Sequence, residues 1–355
     1  MSYPEHGGNI YYFANRLDVQ PFEIIDMSAS VNPLTKDFLK EAISDPYFYI
    51  QFYPDPDCSE LRKLLCEKLQ TEGNSILFAN GSMELIKDAI LWFLPKGATV
   101  LLPQPTFTAY RKFLNLRKDL LVLAPYTLNP SYLLDLVDQF LEKNYPNKVV
   151  ILCNPNNPTC WTIKKSDLLQ RINQNHHTLF LIDEAFIDFC EEESLAHLAP
   201  TLPNLIVFRS LTKFYGLAGT RIGYLIANED IIHKLKRFQT TWQVNTLSQV
   251  FASFLLKNQL FKKISLDFFS KELKKFERTL KDLGIWHRIG VVNFVFFRLE
   301  RGEEFWQWLL REERILIRTC SNFEGLNGDY LRVSVKESEA NDRFLTALVR
   351  WLRPF

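Results

Sequence analysis

Two runs near the middle of this chain, Val149-Val-Ile-Leu-Cys153 and Leu179-Phe-Leu-Ile-Asp183, are apolar at nearly every position and do not alternate. A strand with one face in water alternates apolar and polar residues, so such runs belong to a sheet covered on both faces. Covering both faces requires helices above and below, which points to a mostly parallel α/β sheet.

The surrounding sequence follows that plan, with short β-rich runs alternating with helical stretches from residue 75 onward. Strands are expected at 75–79, 99–102, 120–123, 148–153, 178–182 and 205–208. Helices are expected from 82 and at 106–114, 131–143 and 164–173. After 228 come long helical segments at 230–238, 246–257 and 261–283. A smaller α+β unit then has strands at 292–298, 315–318 and 330–335 and helices at 302–313 and 337–352. The first 40 residues carry no sheet pattern of their own and are expected to pack against that unit. At roughly 150 residues per domain, 355 residues suggest two domains. The expected division is a large domain over 41–255 and a small one formed by 1–40 with 256–355.

In open α/β sheets, ligands settle at the carboxyl ends of the strands, and the polar motifs of this chain fall there. Asn80-Gly81-Ser82-Met83-Glu84 stands between a strand and a helix. Free N–H groups and the positive helix end suit that junction to a phosphate; a plain N-cap by Ser82 is the other reading. Pro103-Gln-Pro105-Thr106-Phe107 ends the next strand and sends the Phe107 ring either against a planar ligand or into the core. Asn154-Pro-Asn-Asn157-Pro-Thr159 follows the run at 149–153, its prolines restricting the turn and Asn157 offering an amide donor. Asp183-Glu184-Ala-Phe186 supplies a carboxylate that, once buried, wants a cationic partner, unless it caps the next helix. Ser210-Leu-Thr212-Lys213 sets a lysine among small hydroxyls, with three glycines and Arg221 following. A lysine amine forms a Schiff base with an aldehyde, while hydroxyls and a guanidinium grip a phosphate, so the segment suits pyridoxal phosphate. A surface lysine beside a Gly-rich turn is the alternative.

In this order and at these strand ends, the motifs resemble the pyridoxal-phosphate enzymes of the aspartate aminotransferase superfamily, fold type I, over nearly the whole chain. The resemblance implies an α/β fold of that type, a large domain with a mostly parallel central sheet and a small α+β domain, and pyridoxal 5'-phosphate as cofactor. It implies Lys213 as the Schiff-base lysine, Asp183 at the pyridine nitrogen, Asn157 at the phenolic oxygen and Phe107 stacked on the ring. Ser82 and Ser210, with Gly81, Met83 and Thr212 near by, and Arg221 would hold the phosphate. Tyr53, in Phe52-Tyr53-Pro54-Asp55, matches the family tyrosine that reaches a neighbouring subunit's phosphate, which implies a homodimer with shared active sites.

Two further regions narrow the branch. One is His6-Gly7-Gly8-Asn9 with Asp26-Met-Ser28-Ala-Ser30-Val-Asn32-Pro33; the other is Ile317-Arg318-Thr-Cys320-Ser321-Asn322-Phe323, followed by Tyr330-Leu-Arg332. Arg318 and Arg332, on neighbouring expected strands, suit two anionic groups of one substrate, or else serve surface salt bridges. Both regions resemble the L-threonine-O-3-phosphate decarboxylases more than the related histidinol-phosphate aminotransferases. The HGGN start, a DEAF rather than DEAY motif and the CSNF run carry that preference. The resemblance implies decarboxylation of L-threonine O-3-phosphate to (R)-1-amino-2-propanol O-2-phosphate in cobalamin biosynthesis. His6 and Arg318 would meet the substrate phosphate and Arg332 its carboxylate. Transamination of histidinol phosphate with 2-oxoglutarate is the alternative. A non-catalytic binding module of the same fold is a remoter one, opposed by the presence of Lys213, Asp183, Asn157 and Arg221. The chain departs from the family at Ser30, where an asparagine that binds substrate phosphate is usual, and at Cys160, where glycine is usual. Phe186 also lacks the hydroxyl of the aminotransferase tyrosine.

Forty-two basic against 41 acidic residues leave a net charge of +1, no electrostatic footprint for nucleic acid or an anionic membrane. No apolar run approaches the roughly 18 residues of a membrane span, and no signal-type leader is visible, so a cytoplasmic location is expected. Six cysteines without a C-x-x-C pair are expected to be reduced and mostly buried, neither disulfides nor metal ligands.

Overall fold

The computed structural model describes residues 6–43 and 45–352. Its strands, in chain order, are β1 (Ile25–Asp26), β2 (Ile76–Ala79), β3 (Thr99–Leu101), β4 (Leu121–Leu123), β5 (Val149–Cys153), β6 (Leu179–Asp183) and β7 (Leu205–Ser210). They continue with β8 (Gly223–Ala227), β9 (His287–Ile289), β10 (Phe294–Arg298), β11 (Ile315–Leu316), β12 (Arg318–Thr319) and β13 (Tyr330–Ser334). A seven-stranded sheet runs in the order β2-β8-β7-β6-β5-β3-β4. Its members pair in parallel except β8, which lies antiparallel between β7 and β2.

The uninterrupted apolar runs do what such runs require. Val150, Leu152, Phe180, Ile182 and Val207 enter the core on one face of the sheet. Val149, Ile151, Leu181, Ile206 and Phe208 enter a second core on the other face. The period of two is present in the strands, with apolar residues filling both phases.

β8 lies outside the expected elements. It is buried throughout, yet it begins at Gly223 and follows Gly216 and Gly219 so closely that turn signals hide its start. Its presence makes β7, the lysine segment and β8 one antiparallel unit.

The smaller unit has a four-stranded antiparallel sheet, β12-β13-β10-β9, backed by helices Gln259–Asp282, Gly302–Glu312 and Ser338–Leu352. The single strand expected at 315–318 is two strands in different sheets: β11 pairs with β1, and β12 pairs with β13. Ile317 lies at the break, where its carbonyl accepts the Trp306 indole N–H at 2.8 Å. The first 40 residues were expected to lack sheet structure; β1, two residues long and too short to show a pattern, runs parallel to β11. Helices Ile10–Leu17 and Ser59–Leu69 are likewise additions to the expected elements; the second buries Leu61, Leu65 and Leu69, four residues apart.

The segment after β1 straps the two sheets together. Met27 exchanges backbone hydrogen bonds with Leu316 and Ser334, while the Asn32 N–H donates to the Lys213 carbonyl at 3.1 Å. The Asn32 amide continues to the Phe214 carbonyl at 2.8 Å. All six cysteines are free thiols, five of them buried. Among the described residues no helix is long and apolar enough to cross a membrane.

Candidate active site

Strands β5, β6 and β7 deliver their polar ends to one cavity of about 200 Å³. Lys213, Ser210 and Thr212 line it from the loop after β7, Asp183 and Phe186 from the end of β6, and Asn157 from the loop after β5. Phe107, Ser82 and Met83 enter from the ends of the loops after β3 and β2, and Arg221 from the turn into β8. The small unit contributes Arg318 and Arg332, and the N-terminal segment His6 and Ser30.

Two of the candidate residues lie elsewhere. Gly81 sits just behind Arg221: a Cβ built on it would stand 2.6 Å from Arg221 Nη2, and its φ of +91° is in the left-handed region. Gly223 is just as tight, since a Cβ there would stand 2.3 Å from the Ser82 nitrogen. Both glycines let the guanidinium and the first N–H groups of helix Ser82–Asp88 crowd into one cradle. Tyr53 does not line the cavity in its own chain; it is 78% exposed and stacks on Trp242 at 4.4 Å.

The loop after β5 shows why one asparagine of three is left for a ligand. Asn154 is tied to Ile163 through both ends of its amide. Asn156 binds the Pro105 carbonyl and the Thr106 and Thr159 hydroxyls. Asn157 uses only its oxygen, which accepts from Arg332 Nη1 at 2.5 Å, and so keeps its N–H groups. Cys160, the residue in place of the usual glycine, has φ +62°, the backbone conformation that glycine adopts most readily.

Sequence reasoning missed Tyr110, whose buried hydroxyl donates to Asp183 Oδ2 while Oδ1 accepts the Ala185 N–H at 3.0 Å. Ser28, within the N-terminal motif, also belongs to the site: its carbonyl accepts Arg332 Nη2 at 2.7 Å. Tyr110 stands three residues after Phe107, the N-cap of its helix, with the two rings 5.5 Å apart, and that spacing is the local signal that could have marked it.

The electrostatics reflect burial. Lys213 is pushed down to about 8, first by burial and then by the Arg332 and Arg221 charges, so about a tenth of its amine is neutral and nucleophilic at pH 7, far more than for an ordinary lysine. Asp183 is pushed up to about 6 by burial, against the hydrogen bonds from Tyr110 and Ala185. Arg332 is pushed down to about 10, again mainly by burial. Among the described residues, Thr108 Oγ1 and Arg332 Nε of the cavity lining are buried without a hydrogen-bond partner. Orphaned donors, a buried carboxylate and a cationic cradle together call for a polar anionic ligand with a cationic edge. Pyridoxal 5'-phosphate fits: a phosphate for the cradle, a pyridinium for Asp183, a ring oxygen for Asn157 and an aldehyde for Lys213.

The chain is similar to known proteins over nearly its full length. A model of the class I and II aminotransferases matches residues 39–348. The threonine-phosphate decarboxylase of Salmonella typhimurium is 33% identical over 353 residues, 97% of this chain and 95% of that protein. The histidinol-phosphate aminotransferase of Thermoanaerobacter pseudethanolicus is 34% identical over 302 residues, 84% of each. The crystal structure of L-threonine-O-3-phosphate decarboxylase from Porphyromonas gingivalis aligns with a TM-score of 0.80 at 27% identity, over 93% of this chain and 99% of that one.

Proposed function

The chain belongs to the class I and II aminotransferase family, with the type I fold and pyridoxal 5'-phosphate as cofactor, and from that premise we propose that it decarboxylates L-threonine O-3-phosphate to (R)-1-amino-2-propanol O-2-phosphate. The observation that carries this reading is the pair Arg318 and Arg332. They are register partners on β12 and β13 and line the same cavity as Lys213. Two guanidiniums in one pocket suit a substrate with two anionic groups, here a carboxylate and a phosphate. The 33% identity to the Salmonella enzyme over 97% of the chain supports the same choice.

Held by Lys213, Asp183, Asn157 and the phosphate cradle, pyridoxal 5'-phosphate would supply an electron sink for a bond at the substrate Cα. The protein's part is to choose that bond. Arg332, fixed by Asn157 and the Ser28 carbonyl, would hold the substrate carboxylate, and Arg318 with His6 the phosphate, so that the bond to the carboxylate is the one presented. Lys213 would hold the cofactor's aldehyde through its neutral amine and carry the proton at the substrate Cα. Asp183 would keep the ring nitrogen protonated, and Asn157 would donate to the ring oxygen. Tyr53 would reach the phosphate of a second copy in a homodimer.

A second reading, transamination of histidinol phosphate, is favoured by the 34% identity to the Thermoanaerobacter aminotransferase. There the arginine pair would serve the two carboxylates of glutamate. One experiment separates the two: CO₂ release from threonine phosphate supports the decarboxylase, whereas glutamate formed only from histidinol phosphate with 2-oxoglutarate overturns it. Borohydride treatment of the loaded protein should leave a pyridoxyl group on Lys213, and Lys213→Ala should abolish both the adduct and turnover. An adduct on another lysine would refute the assignment.

A further inference from the structure

Ser30 and Ser334 are 304 residues apart in sequence, and their hydroxyls meet at 2.8 Å. Ser30 lines the cavity; Ser334 is fully buried behind it. Each hydroxyl owns one hydrogen, and the bond between them uses one of the two. If Ser30 donated, the Ser334 hydrogen would be stranded, because Ser334 Oγ has no second partner among the described residues. A buried unsatisfied donor is costly. The opposite direction strands nothing: Ser334 donates to Ser30, and the Ser30 hydrogen is released toward the cavity. Ser334 follows Arg332 by two residues on β13, so both side chains leave the same face of the strand. The backbone of Ser28, two residues before Ser30, already accepts from Arg332.

We infer that Ser334 and Ser30 form a two-hydroxyl relay whose outer hydrogen binds an anionic oxygen of the substrate beside Arg332. Ser334 is a positioning residue in this relay, and Ser30 touches the substrate. A hydroxyl that accepts one hydrogen bond donates a stronger one, and the fixed inner bond gives a short side chain a defined aim. The inference rests on the proposed reading of a phosphorylated amine substrate.

The test uses the cofactor-loaded protein. KM is measured for L-threonine O-3-phosphate, and calorimetry gives Kd for the product amine phosphate, which has no carboxylate. Ser30→Ala and Ser334→Ala are each expected to raise KM about ten-fold, the worth of one hydrogen bond to a charged group. The double variant should lose no more than either single one, as members of one chain do, and Ser334→Thr should recover most of the loss. A matching loss in product Kd identifies a phosphate oxygen as the acceptor; a loss confined to KM identifies the carboxylate. Unchanged KM and Kd in Ser334→Ala, or additive losses in the double variant, would overturn the relay. If the wild type releases no CO₂ yet binds the product amine, the reaction reading fails while the relay is still judged on Kd. If it binds neither compound, both fall.

Discussion

Asp183 shows how a single residue carries two demands. Its carboxyl is held by Tyr110 and by the Ala185 N–H, yet burial raises it from 3.8 to about 6. A raised folded-state value means stability that is complete below about pH 4 and lost as pH climbs through about 6. In the cofactor-free protein, urea unfolding should therefore show wild type losing about 3 kcal/mol relative to Asp183→Asn between those limits. A flat difference would contradict it. Tyr110→Phe removes a hydrogen bond that favours the ionised form, so the same transition should move to higher pH. Lys213, Asp183, Asn157 and Arg221 were legible in the sequence because each stands at a strand end with turn residues beside it. Tyr110 and Ser334 were not: their partners lie 73 and 304 residues away, and no local pattern encodes a meeting across such distances.

At the scale of elements, the ends of β6 and β7 are pinned by a buried ion cluster next to the site. Arg209, fully buried, donates to Asp188 at 2.7 Å and to Ser194 at 3.1 Å, and lies 3.4 Å from Glu184. Glu184 follows Asp183 and Arg209 precedes Ser210, so the cluster holds both strand ends from behind. Arg209→Met leaves the buried Glu184 without its cation and Asp188 with only Lys68 at 3.9 Å, and should cost about 3 kcal/mol in urea unfolding. Gly223→Ala acts more locally. Its Cβ would stand 2.3 Å from the Ser82 nitrogen, and the expected outcome is at least a ten-fold weaker hold on pyridoxal 5'-phosphate by equilibrium dialysis. Unaltered retention would refute the cradle. The parallel core was legible because its apolar runs are long and bounded. β1 was not, since a two-residue strand is defined by its neighbour rather than by its own sequence, and nothing in the run 315–318 marked its break at Ile317.

For the whole molecule, the exposed large hydrophobic side chains are unevenly spread. Tyr47, Phe48, Ile50, Phe52 and Tyr53 are all exposed within seven residues, and Trp242 stacks on the last of them. Exposed apolar side chains that cluster mark interaction surfaces, and five of them within seven residues support the proposed homodimer. Sedimentation equilibrium should find a dimer in the wild type, and Tyr53→Asp with Trp242→Asp should shift it toward monomer; a monomeric wild type would refute the proposal. The strap at the N-terminus has a consequence in time as well as in space. Ribosomes release about 5–20 residues per second, so Met27 and Ser30 emerge tens of seconds before their partners at Leu316 and Ser334 exist. The large sheet can close while the chain is still growing, but the pocket cannot. Every molecule of this protein passes through a nascent stage in which the lysine has been made and the walls that Arg318, Arg332 and Ser334 supply have not.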